Sequence, residues 1–262
     1  MNILMIGDVV GRAGRRALRE YLAKLIRDYN IDFVICNAEN AAGGSGITRE
    51  VANELLDYGT DVLTTGNHVW DKKEIYEFIE TEPRLLRPAN YPPGAPGMGY
   101  GVFTTRSGMK VGIINLAGRV FLPHFDCPFR KADEVLPVLR EKTQVICVDF
   151  HAEATSEKTA LGWYLDGRVT AVLGTHTHIQ TADERILPGG TAYITDVGMT
   201  GPRDSVIGVK KEIVIEKYIT QMPKRFEVAT GAYQLNAVVI TVDEKTGRSC
   251  SIARISLQEG GV

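Results

Sequence analysis

The chain alternates short apolar runs with longer amphipathic ones over much of its length. Ile3–Ile6, Phe33–Cys36 and Val62–Thr65 are apolar segments closed by glycine or polar turns, the pattern of strands covered on both faces. Between them, Arg12–Tyr29 sets Leu18, Tyr21, Leu22, Leu25 and Ile26 at helical spacing with charges interleaved. Thr48 stands as an N-cap before a helix carrying Val51, Leu55 and Leu56. Asp71-Lys72-Lys73-Glu74 has the form of a capping box, predicting a helix that ends near Glu80. Strands alternating with helices predict a parallel sheet with right-handed crossovers.

The middle of the chain changes character. Arg87–Gly97 holds Pro88, Pro92, Pro93 and Pro96 and reads as loop. Tyr100–Thr104 and Lys110–Leu116, joined across Arg106-Ser107-Gly108, read as an antiparallel hairpin. Ala132–Arg140 reads as a helix if Pro137 lies in a first turn. The α/β rhythm then returns with Val145–Val148 and Val169–Leu173. After Ala192–Thr195, Ala232–Val242 and Ser249–Leu257 make a terminal hairpin. The expected architecture is α/β: two mixed sheets packed face to face with helices outside, a four-layer αββα sandwich in a single domain over residues 1–262.

Bulk properties narrow the function more than the fold. A chain of 262 residues, 44% apolar and 24% charged, suits a globular protein with a large core. A net charge of −2 supplies no global basic field for coating nucleic acid, although a local basic pocket remains open. Cys36, Cys127, Cys147 and Cys250 form no C-x-x-C pair and read as thiols of a reducing compartment. The N-terminus lacks a signal h-region, and no apolar stretch approaches the ~18–20 residues that span a bilayer. A cytoplasmic protein is expected.

Four of the five histidines follow apolar runs: Asn67-His68, His151, and His176-Thr177-His178. Gly7-Asp8 and Ala38-Glu39-Asn40 close two further runs with carboxylates. In open α/β sheets, ligands bind beyond the carboxyl ends of strands, so these tips converge on one edge in this reading. Imidazole and carboxylate suit iron, manganese or zinc, and amide oxygens add ligands without charge. His-x-His on an extended segment would point both rings one way. Taken singly, Asp8 could be a helix cap, Glu39-Asn40 a polar turn before Gly43-Gly44-Ser45-Gly46, and His151 an ordinary core histidine. Together they exceed the ~3 protein ligands of one catalytic ion and point to two ions about 3.5–4 Å apart. Glu39 is the natural bridge. A histidine beside the ions but not bound to them would serve as general acid. His124 reads as a loop or substrate-rim residue, and Tyr91, Phe121 or Phe125 as stacking groups or packing.

The blocks Gly7-Asp8, Ala38-Glu39-Asn40, Gly66-Asn67-His68, His151 and Gly174-Thr175-His176-Thr177-His178 resemble those of calcineurin-like metallophosphoesterases. Asp8-Val9-Val10 replaces the usual Asp-x-His, and Glu39 replaces the usual bridging Asp. Both departures resemble the YmdB-like branch, as do Gly7–Gly11 and Asn37–Gly44. The resemblance implies a di-metal phosphodiesterase of 2′,3′-cyclic nucleotides, with 3′,5′-cyclic ones a further candidate. It implies Asp8, Glu39, Asn40 and His178 on one metal and Glu39, Asn67, His151 and His176 on the other. Iron leads, with manganese or zinc open. A metal-bound hydroxide would attack phosphorus in line while His68 protonates the departing sugar oxygen. Rival readings are a regulatory protein with weak turnover and an RNA-linked partner, a phosphomonoesterase of the same fold, and a dinucleotide-binding domain on Gly7-x-x-x-Gly11-x-x-Gly14. The last departs from G-x-G-x-x-G and leaves the histidines unexplained. A homo-oligomer through the terminal hairpin is also open.

Overall fold

The computed structural model describes residues 1–122 and 124–260; Pro123, within the Phe121–Phe125 segment, and the last two residues lie outside that range. The first half carries β1 (Asn2–Ile6), β2 (Asp8–Val9), α1 (Gly11–Asp28), β3 (Phe33–Asn37), α2 (Arg49–Asp57), β4 (Val62–Thr64) and β5 (Leu85–Leu86). The hairpin β6 (Tyr100–Thr104) and β7 (Lys110–Ala117) is followed by α3 (Pro128–Arg140), β8 (Ile146–His151), α4 (Thr155–Leu165) and β9 (Ala171–Thr175). Short strands β10 (Arg185–Ile186), β11 (Ala192–Ile194) and β12 (Met199–Pro202) lead to α5 (Lys211–Thr220) and the long pair β13 (Tyr233–Val242) and β14 (Ser249–Gln258).

Two sheets result. One runs β2-β12-β13-β1-β3-β4-β5 with β14 added to β13; the other runs β10-β11-β9-β8-β7-β6. β1, β3, β4 and β5 are parallel, and so are β7, β8, β9 and β11, while β13, β6 and β10 pair antiparallel with their neighbours. Alternation along β1 explains the stacking, because successive side chains leave opposite faces of a strand. Ile3 and Met5 join Phe33, Ile35, Ile113 and Cys147 in the layer between the sheets. Leu4 and Ile6 face α1 and α2 through Leu18, Leu22 and Leu55. A third cluster seats α3 and α4, through Leu136 and Leu161, on the far side of the second sheet. The four-layer αββα sandwich is therefore present.

Local expectations fare unevenly. Thr48 does cap α2, its hydroxyl accepting from Val51 N at 3.3 Å. The capping box at Asp71 does not form. A 3-10 turn occupies Lys73–Glu77, preceded by Lys72 with no side-chain cap. The Asp71 carboxylate is diverted to Ser45 Oγ and to His68 Nδ1. α3 begins earlier than expected, with Pro128 opening its first turn and Pro137 inside.

Candidate metal centre

The parallel strands bring their carboxyl ends to one side, and the centre forms there. Asp8, Glu39 and His151 have fully buried side chains; those of His176 and His178 are 18% and 12% exposed. His151 is the last residue of β8, in register with Thr175 at the end of β9. Asp8 lies on β2 rather than capping α1, whose N-cap is Val10. His176 and His178 do not lie on an extended segment. Both have positive φ, 98° and 68°, so a tight turn beyond β9, and not strand alternation, carries their rings inward. Asp196 holds that turn. Its Oδ2 accepts from Thr177 N at 3.1 Å, Thr177 Oγ1 at 2.7 Å and the buried Lys158 Nζ at 2.7 Å.

Ligand atoms of Glu39, His151 and His176 lie within 4.8 Å of one another. Glu39 Oε2 is 2.5 Å from His151 Nε2, which is 2.9 Å from His176 Nδ1. A looser group adjoins it: His178 Nε2 stands 3.3 Å from the Asn40 amide and 3.8 Å from Asp8 Oδ1. His176 N donates to Asp8 Oδ2 at 3.1 Å, and His68 N to Glu39 Oε1 at 2.5 Å, tying the groups together.

The outer hydrogen bonds assign the tautomers. His151 Nδ1 faces Thr175 Oγ1 at 3.0 Å, and that hydroxyl in turn donates to Asp149 Oδ1 at 2.7 Å. His176 Nε2 faces Glu153 Oε2 at 3.1 Å, and His178 Nδ1 faces the Ile207 carbonyl at 2.8 Å. Each imidazole thus spends its N–H outward and turns a lone pair inward, the arrangement that metal-ligating histidines adopt. Among the described residues, no hydrogen-bond donor reaches the buried Asp8 Oδ1, Glu39 Oε2 or Asn67 Oδ1. Unsatisfied buried oxygens close to imidazole nitrogens make a donor set that a cation would satisfy.

Without one, a proton substitutes. Burial alone would lower the His151 pKa, but Glu39, Asp8 and Asp149 outweigh it and raise it to about 9. Burial would likewise raise Glu39, yet His151 and His68 bring it down to about 2. Burial and the neighbouring His151 press His176 down to about 3, and burial lifts Asp8 above its ordinary value. The donors are oxygen and nitrogen, with no thiolate; this set fits iron, manganese or zinc.

A cavity of about 470 Å³ opens beside the centre, lined among others by Asn40, His68, His176, His178, Glu153 and Phe226. The segment Ile207–Val209 and the stretch around Phe226–Val228 shape it. Of the aromatics read as stacking groups or packing, none lines this cavity: Tyr91 packs between Trp70 and Phe125, and Phe121 is 84% exposed. His124 does not line it either. Glu153 and Phe226 escaped the sequence reading. His151-Ala152-Glu153 was a visible signal for the first; Phe226 sits in a loop and gave none.

A model of the family described as "YmdB-like protein" matches residues 4–255. The chain is 52% identical over 259 residues to the 2′,3′-cyclic-nucleotide 2′-phosphodiesterase of Bacillus subtilis, covering 99% of this chain and 98% of that protein. This chain belongs to the YmdB-like family. It superposes on the crystal structure of a novel phosphatase from Mycoplasma pneumoniae with a TM-score of 0.92 at 38% identity, covering 98% of this chain and 93% of the other. A hypothetical protein from Thermus thermophilus also gives a TM-score of 0.92, at 43% identity over 98% and 99% of the two chains. The YmdB-like protein therefore has the metallophosphoesterase fold and is a hydrolase of phosphoric esters. Among the described residues, no helix is long and apolar enough to cross a membrane.

Proposed function

We propose that this protein is a binuclear phosphodiesterase that opens 2′,3′-cyclic nucleotides at the 2′ ester, leaving a 3′-phosphate. One observation carries the reading: three imidazoles, each anchored by its outer N–H, turn their inner nitrogens into one cluster with buried carboxylates whose oxygens lack donors among the described residues. The name of the B. subtilis relative supports the substrate class. Asp8, Asn40 and His178 would hold one ion and Asn67, His151 and His176 the other, with Glu39 between them. Iron is the first choice, manganese or zinc the next. When bound, such a pair supplies Lewis acidity to the phosphoryl oxygens and lowers the pKa of water.

The chain's own residues do the rest. His68 lies on the cavity wall, its Nδ1 2.9 Å from Asp71 Oδ2. That contact orients the ring and leaves Nε2 for the departing O2′, which needs a proton as the P–O2′ bond breaks. Phe226 offers an apolar face to the base. The test is His68→Ala assayed on 2′,3′-cyclic AMP, 3′,5′-cyclic AMP and a monoester side by side. Metal content should persist while 2′,3′-cyclic turnover falls about 10²–10⁴-fold, the usual weight of general acid catalysis. Undiminished turnover removes His68 from the role, and preference for the monoester replaces the phosphodiesterase reading.

A further inference from the structure

A second cavity, of about 700 Å³, lies against the N-terminal half of α1 and is lined by Arg12, Arg15, Arg16 and Arg19. Their spacing of three, one and three residues puts all four on one helix face. Among the described residues, Glu54 is the only acidic one on the lining. Arg15 is committed to it at 2.7 Å and to the Ala41 carbonyl at 2.7 Å, and Arg16 pairs with Glu259 at 2.9 Å. Arg12 and Arg19 make no side-chain hydrogen bond or ion pair among the described residues. The first turn of α1 holds no acidic residue to offset the positive end of the helix dipole, which adds to the field of the arginines.

This cavity adjoins the one at the metal centre: Gly43 and Val228 line both. The link is tight at Asn40, whose carbonyl accepts from Gly11 N at 2.9 Å on one side and Gly44 N at 3.1 Å on the other. A concave, cationic trough continuing from a phosphoester site suits further phosphates of the same molecule. A cyclic mononucleotide has none to offer. A 2′,3′-cyclic phosphate requires a ribose 2′-oxygen, and it also terminates RNA cut by attack of that oxygen on the adjacent phosphate. From such an end the chain continues in one direction only, through its 5′ neighbours.

We propose that the arginine cavity binds the sugar–phosphate backbone of an oligoribonucleotide whose 2′,3′-cyclic end occupies the metal-centre cavity. The nature of that end rests on the phosphodiesterase reading; backbone binding at the arginines does not. The reaction that supplies the substrate would then be transesterifying RNA cleavage, and the product a 3′-phosphorylated oligonucleotide.

The experiment pairs two readouts on wild type and Arg12→Glu/Arg19→Glu. Anisotropy measures binding of a labelled five-nucleotide RNA bearing a plain 3′-phosphate, and a separate assay follows 2′,3′-cyclic AMP hydrolysis. Both arginines are exposed and lie off the buried face formed by Leu18, Leu22 and Leu25, so the fold should survive. RNA binding should weaken at least about tenfold, and the slope of log K against log salt should fall by about 1.4, roughly 0.7 for each lost phosphate contact. Cyclic AMP hydrolysis should be unchanged. Equal RNA affinity in variant and wild type overturns the proposal, as does wild-type affinity for the five-nucleotide RNA no higher than for a 3′-mononucleotide. Arginine-dependent RNA binding in a protein that fails to hydrolyse cyclic AMP would sustain this cavity and sink the phosphodiesterase reading alone.

Discussion

Gly66→Ala should damage the centre through a single methyl group. A Cβ built on Gly66 would lie 2.2 Å from His151 Cδ2, 2.4 Å from Nε2 and 2.5 Å from Cγ. Ordinary carbon contacts begin near ~3.5 Å, so the ring would have to retreat by about 1 Å. It has nowhere to go: His151 is fully buried and packs edge-on against His176 with ring centroids 4.7 Å apart. Overpacking of this kind costs about 1–3 kcal/mol. In a chain of this size that lowers Tm by roughly 2–12 °C. Nε2 would also leave its position 2.5 Å from Glu39 and 2.9 Å from His176, so at least one ion should be lost. Elemental analysis of remetallated protein and thermal melts measure the two effects. Gly112→Ala is the control, since its new Cβ would meet only side-chain atoms at 3.3–3.4 Å. A Gly66→Ala variant with the full metal complement and an unshifted melt would refute the argument.

Three further outcomes test the centre. Glu39→Gln should empty both ion positions together, read as metal per protein; retention of one ion would refute the bridge. Thr175→Val leaves His151 Nδ1 without its 3.0 Å partner and should weaken metal affinity about 10–100-fold, so unchanged affinity in a chelator competition would show that the ring needs no such anchor. The third concerns pH. His151 is raised to about 9, so below that value a proton occupies the nitrogen the cation needs. The logarithm of apparent metal affinity should climb with slope about 1 from pH 7 to 9 and level off above, and a flat profile across that range would contradict it.

What the sequence discloses here is the chemistry at strand ends, because a strand end is marked by two coincident signals. Ile3–Ile6 before Asp8 and Val145–Val148 before His151 announce buried strands by unbroken apolarity, and the polar residue that follows must face an edge. Asp71 shows why the rest stayed hidden. Its capping-box pattern is local, but His68 and Ser45 compete for the same carboxylate, and tertiary contacts win. Helix α4 was missed because Lys158 and Gly162 share its buried side with Leu161 and Leu165, so it carries almost no amphipathic stripe. Two-residue strands such as β2 and β5 are too short to leave a pattern at all. The His-x-His pair reached the centre by a different backbone from the extended one its spacing suggested. Sequence spacing identified the rings but not the dihedrals that aim them.

Those dihedrals have a cost. A side-chain-bearing residue held at positive φ gives up roughly 1–3 kcal/mol, and the chain does so twice within three positions. Glycine at 176 or 178 would relax the turn and delete an imidazole in the same stroke. A lineage improved for thermal endurance alone would drift toward that exchange and lose its chemistry without unfolding. Robustness and reactivity are set against each other at these two positions, and the histidines found there mark which of them prevailed.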